Sequence, residues 1–419
     1  MAKTMPWGEV LKVELDVGYV ANAFTLDSST LDGPEVLDGS SDFVDITEYV
    51  TSVSITRGRP DQLQTFGPGI CSIVADDRAA SRQFDPANTA SPWYLNDLGI
   101  APRRFMQVYA GTAGNEPLWY GRVNDLDIEY SQPNISFVSI SGVDDLADFA
   151  KSDLLAFTPA QTTPQGRFGE ILNRPEVAYS TATRSLSTAC VATLGTVAYA
   201  DNVNAKSALD AVAQAEDGRF FVSKDPTVGV VLQPRISFSF DTPTLTFSDV
   251  AGTAIPYQNL SVGFGAETLI NRVQVGVQGL SVATAVGTAS IAQYGVSSLA
   301  LNDVPLSSTA QGTALASNLL AKYEEPVSRF NQIEILLNGL TGAQQESLAE
   351  LEIGDVIAVT KTYAVGSPAT VTQNVFIERI QHQINPQVHR MVLGLGQAQL
   401  LTQFILDTSE LDDATVGLG

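Results

Sequence analysis

Apolar and polar positions alternate with a period of two along most of the chain. VTSVSITRG (Val50 to Gly58) sets apolar residues against Ser and Thr. NDLDIEY places Leu126, Ile128 and Tyr130 on one face and Asp127 and Glu129 on the other. NRVQVGVQ, with Val273, Val275 and Val277, and FIERIQHQI, from Phe376 to Ile384, repeat the arrangement. Alternation of this kind predicts half-buried antiparallel strands. Turn-forming groups such as FGPG, DPAN, GTAGNEP, KDPTVG and INPQV punctuate them. Helical spacing is local. It predicts a short helix over 142–152, one over 207–218 capped by Ser207 and ended by Gly218, and two more over 309–324 and 341–349.

The pattern divides the chain into an acidic flank (1–45), a first β block (46–142), a mixed α/β insert (143–254), a second β block (255–400) and an extension (401–419). The expected class is mainly β with α+β insertions, with the β blocks built as barrels or sandwiches.

Composition narrows what such a protein does. The 419 residues exceed one compact core, and 44% apolar content supports several. The formal charge is −23, from 46 acids against 23 bases, which disfavours both nucleic-acid and anionic-membrane binding. The bases are uneven: Arg57, Arg59, Arg78, Arg82, Arg103, Arg104 and Arg122 crowd one stretch, whereas 14–48 carries acids only. That asymmetry predicts charge-complementary contacts between domains or subunits. No signal-peptide run and no stretch of membrane-spanning length occurs, so a soluble protein made in a cytoplasm is expected.

Candidate chemistry is sparse. Cys71 and Cys190 are far apart and read as buried free thiols. His382 and His389 flank INPQV, so a hairpin turning at Asn385–Val388 puts both imidazoles on one face; no third ligand has metal-site spacing. Nucleophile elbows, H-E-x-x-H and phosphate-binding loops are missing. No catalytic residue, cofactor or metal is expected. One phrase recurs: FTLDSSTLDG (Phe24 to Gly33) and FILDTSELDD (Phe404 to Asp413) share the pattern F-x-L-D-x-S-x-L-D. Phe24, Leu26 and Leu31, with Phe404, Leu406 and Leu411, form two apolar stripes on acidic strips suited to docking on a neighbour's groove. In an acid-rich chain such phrases also arise by chance.

Ile46 to Asp148 carries RGR at Arg57 to Arg59, ADDRAASRQFDPAN, a Pro-Arg strand, W-Y-G-R and a final DDL. In that order these phrases resemble minor tail proteins of long-tailed phages of actinobacteria. DGRFFVSKDPTVGVVLQPR, LINRVQV, LASNLLAKYEEP, LEIGDVIAV and IERIQHQINPQVHRMVLGLGQA are similar to later parts of the same family, in particular to its baseplate hub, or tail-associated, proteins. The resemblance implies two tube-like barrels per subunit, a homotrimer forming a pseudo-sixfold ring, and a place at the tail tip of the virion after assembly in the host cytoplasm. It implies a distal tail protein ring, a tape measure protein and other minor tail proteins as partners, with genomic DNA passing through but not bound. A chain ending soon after the second barrel is expected to carry no lysin or receptor-binding domain. The alternatives are the hexameric distal tail ring itself and a receptor-binding or wall-cleaving tip protein.

Overall fold

A computed structural model describes residues 2–17, 43–78, 83–94, 100–131, 135–234, 243–250, 252–397, 402–403 and 416–417. The fold is mainly β with α/β insertions, as the alternation predicts. The first β block contains β1 (Val10–Asp16), β2 (Val50–Gly58), β3 (Ile70–Asp76), β4 (Phe105–Ala110), β5 (Glu116–Ser131) and β6 (Ile135–Val143), hydrogen-bonded in the order β1-β4-β5-β6-β3-β2. One bent segment joins the ends of that path. Phe43–Asp45 pairs with β1, and the chain then turns into β2 on the far side. Thr47 fastens the bend by accepting the Val13 N–H at 2.8 Å. The sheet thus closes around its own core of Leu11, Val13, Ile55, Ile73, Met106, Val108, Trp119, Val138 and Ile140.

The second β block contains β7 (Leu245–Ser248), β8 (Asn259–Gly263), β9 (Arg329–Leu336), β10 (Val356–Thr362), β11 (Thr370–Asn385) and β12 (Val388–Gln397). Its order is β7-β10-β11-β12-β9-β8, the order of the first block repeated strand for strand. The closure repeats as well. Ile255–Pro256 pairs with β7, and the chain bends into β8, which pairs with β9. Tyr257 Oη donates to the Thr360 carbonyl at 3.0 Å across that bend. Even the irregularities coincide: the β5·β6 ladder bulges between Val123 and Asp125, the β11·β12 ladder between Ile377 and Arg379. One difference stands out. β1 runs antiparallel to β4, whereas β7 runs parallel to β10.

Several expected boundaries move. Val10–Asp16 alternates buried and half-buried residues and lies inside the first sheet rather than in an outlying flank. Leu245–Ser248 belongs to the second sheet, not to the insert, because it pairs with β10. Arg272–Val277 is a strand as expected, but it joins Val282–Val286 and Ser298–Val304 in a separate three-stranded sheet between β8 and β9. Helix Thr309–Tyr323 packs on that sheet through Leu315, Ala316 and Leu319. The earlier insert holds a sheet of Arg184–Leu186, Val230–Gln233 and Arg219–Val222, with helices Pro164–Leu172 and Ala205–Glu216. The latter begins at Asn204, whose side chain accepts the Ser207 N–H at 3.2 Å; Ser207 is therefore inside the helix and not its cap.

Candidate assembly interface

The two barrels meet along one strand seam. β11 pairs along one edge with β12; along the other it pairs with β10 in its first half and antiparallel with β2 in its second, from Arg379 opposite Gly58 to Ile384 opposite Val53. Gly58 is required at the end of this seam. Its φ is +102°, and an added Cβ would strike the Glu378 carbonyl oxygen.

Buried charge surrounds the seam. Glu378, 2% exposed, accepts from Arg59 Nε at 2.8 Å and from Arg219 Nη2 at 2.9 Å. Burial alone would raise this carboxyl, but the two guanidinium groups outweigh it and hold it at about 2. Arg57 Nη1 meets Glu352 Oε1 at 2.9 Å, and its Nη2 donates to the Val222 carbonyl at 2.8 Å. Lys224 donates from Nζ to the Leu351 carbonyl at 3.0 Å, and burial lowers its ammonium to about 8. First barrel, insert and second barrel are locked together here by ion pairs. Elsewhere Arg78 pairs with Asp76, and Arg103 and Arg122 both pair with Asp148. These five of the clustered arginines meet acidic neighbours: Arg57 and Arg59 reach the second barrel, whereas Arg78 pairs two residues away in its own segment.

The two histidines are brought together. The hairpin turns between Asn385 and Val388, and His382 Nδ1 lies 3.0 Å from His389 Nε2. His389 Nδ1 lies 2.8 Å from Glu9 Oε2, which also accepts from Trp7 Nε1 at 2.9 Å. A carboxylate accepts, so Nδ1 of His389 carries a proton; in its neutral form Nε2 then accepts from His382 Nδ1–H. Burial and the neighbouring His389 keep His382 well below the ordinary histidine range. Glu9, His382 and His389 are at most 3% exposed, so substrate has no access. Among the described residues no hydroxyl or thiol bonds to either imidazole. The chain Trp7–Glu9–His389–His382 pins the N-terminal segment of the first barrel to a hairpin of the second. Sequence spacing could pair the histidines, but it gave no sign of Glu9, 380 residues away.

Among the described residues no group of three or more His, Cys, Asp or Glu is placed to hold a metal ion. Cys71 is buried and Cys190 half-buried, and burial raises both thiols. No described helix is long and apolar enough to cross a membrane. Phe24, Leu26, Leu31, Phe404, Leu406 and Leu411 lie outside the described residues.

Among the described residues two strand edges stay open. β4 pairs with β5 only as far as Arg122, and from Asp125 onward β5 pairs with β6 alone. The Leu126 N–H turns away from β6 and donates to the Asp125 side chain at 2.9 Å. β8 pairs with β9 alone, and it leads into Phe264, which is 72% exposed.

The fold overlays on that of the tail protein from Neisseria meningitidis MC58 with a TM-score of 0.59, covering 92% of this chain and 96% of that one at 11% identity. It also overlays on the 43 kDa tail protein of prophage MuSo2 from Shewanella oneidensis, with a TM-score of 0.55, covering 93% and 98% at 13% identity. At such identities the likeness is one of fold. No protein-family model matches the sequence, and no curated protein matches it.

Proposed function

We propose that this protein is a structural component of a phage tail: a baseplate hub that continues and closes the tail tube as a homotrimer. The observation that carries this reading is the duplicated barrel, two copies of one strand order joined edge to edge in a single chain. Two barrels from each of three subunits make a ring of six, which can abut a hexameric tube. On this reading the distal tail ring, the tape measure protein and other minor tail proteins are the neighbours. The role is architectural, without catalysis. Genomic DNA passes through and is not bound, and the net charge of −23 supports this, because an acidic channel wall repels phosphate.

The test is the copy number per virion, by quantitative mass spectrometry against the major tube protein. Three copies are expected. Six would move the protein to the distal tail ring, the second reading. Absence from purified particles would overturn the tail assignment.

A further inference from the structure

The repeated strand order carries a consequence at residue level. Position by position, the shared bulge matches Asp125–Glu129 of β5 to Arg379–Gln383 of β11. The ladders through β6 and β12, then β3 and β9, match Leu260 and Ser261 of β8 to Val53 and Ser54 of β2. Inside the chain, the matched parts of β11 and β2 form the seam, with Gln383 opposite Ser54. The corresponding parts of β5 and β8 are the two open edges. The chain therefore holds one satisfied copy of a strand-to-strand junction and both halves of a second.

We infer that these two edges join successive copies of this chain: Asp125–Glu129 of one subunit pairs antiparallel with residues 261–265 of the next, with Glu129 opposite Ser261 of the partner subunit. This deepens the ring reading above and rests on it, since it names the surface through which the subunits meet. Three observations support a second copy as the occupant. The internal junction is this same pairing already made. The two facing segments are five residues long each, one short of the six-residue seam between Val53 and Gly58. Val262 and Phe264 are exposed apolar residues on the receiving edge, and the Leu126 N–H bonds the side chain of its own neighbour, Asp125. Main-chain hydrogen bonds would supply the association, as in other strand additions. Because the edges differ, the contact is head-to-tail and closes into a ring or runs on as a filament.

The test is cross-linking of purified full-length protein carrying Glu129→Cys and Ser261→Cys, with Cys190→Ser to remove the other accessible thiol. Directly opposed antiparallel residues lie about 4.5–5.5 Å apart at Cα, within disulfide reach. Both positions are exposed, so unchanged thermal unfolding is the control. Under mild oxidation a reducible ladder ending at trimer is expected, and either single variant should stay unlinked. A ladder running past trimer would uphold the junction and overturn the closed trimer. Assembly seen by light scattering without cross-links would overturn the junction and leave the ring reading standing. Monomers without cross-links at the highest soluble concentration would overturn both.

Discussion

The two barrels share a plan and differ in how they fill it. Trp119 on β5 is 1% exposed and sits over two glycines: a Cβ at Gly121 would lie 2.7 Å, and one at Gly142 2.5 Å, from its ring. The matching positions of the second barrel are Gln373, Val375 and Leu395. There Val375 is buried and Leu395 packs half-buried against the same core. Gln373 instead bonds backbone, accepting the Phe330 N–H at 3.2 Å and donating to the Ser328 carbonyl at 2.9 Å. One large ring over two glycines in the first barrel is matched by two aliphatics and an amide at the same ladder positions of the second. Ladder order and register persist while volume is redistributed, as expected where close packing has several solutions.

The contrast can be broken at its largest member. Trp119→Ala should cost about 4 kcal/mol, because nothing can collapse over Gly121 and Gly142. Gln373→Ala should cost only about 1 kcal/mol, the net worth of its hydrogen bonds. Denaturant unfolding with an intrinsic-fluorescence and a far-UV readout measures both, and equal costs would show that the two sites are not the equivalents they look.

The bulges offer the next comparison. Glu378 at one is buried between arginines, and Asn124 at the other is exposed. Glu378→Gln should cost about 3 kcal/mol by leaving Arg59 and Arg219 without their shared anion, whereas Asn124→Ala in the monomer should stay within about 0.5 kcal/mol. The pH dependence follows from the same group. Its folded value is depressed from 4.5 to about 2, so its contribution is fully present above pH 4.5 and lost as pH falls toward 2. The acid limb of the wild-type stability curve should therefore be steeper than that of Glu378→Gln; parallel limbs would show that the pair contributes nothing by ionisation.

The smallest effect concerns the connections. Between β9 and β10 the chain forms helix Gly342–Glu350, started by a capping box in which Thr341 and Gln344 bond each other's backbone. Between β3 and β4 the first barrel instead carries Phe84 and Trp93, which meet each other and Tyr49, just before β2, edge to face. Thr341→Ala should cost about 1 kcal/mol by calorimetry, and no loss would mean that packing alone holds the helix.

Strands were legible in the sequence because alternation is local. Leu126, Ile128 and Tyr130 share a face as read, and Thr309–Tyr323 is helical almost to the residue. Which sheet a strand joins was not legible. Arg272–Val277 alternates as cleanly as β11 yet belongs to the second insert, since period two reports one buried face and not the neighbour. Val10–Asp16 was lost among acids for the opposite reason: Glu14, half-buried, and Asp16, buried at the strand end, belong to a strand whose partners lie far along the chain. The duplication left no sequence trace because matched positions share orientation and not identity, as Trp119 and Gln373 show. The seam was hidden likewise. In FIERIQHQI period two places Glu378 on the face of Phe376, Ile380 and Ile384, but nothing local names the two distant arginines that pair with it.

The second α/β insert leaves the second barrel after β8 and returns at β9, two strands that are neighbours in the ladder. The whole excursion is thus the tip of a hairpin, and the ladder beneath closes whatever that tip carries. In evolutionary terms the barrel and its decoration are free to change at different speeds: a lineage could exchange or shed residues 264–328 without redrawing a single pairing in the barrel.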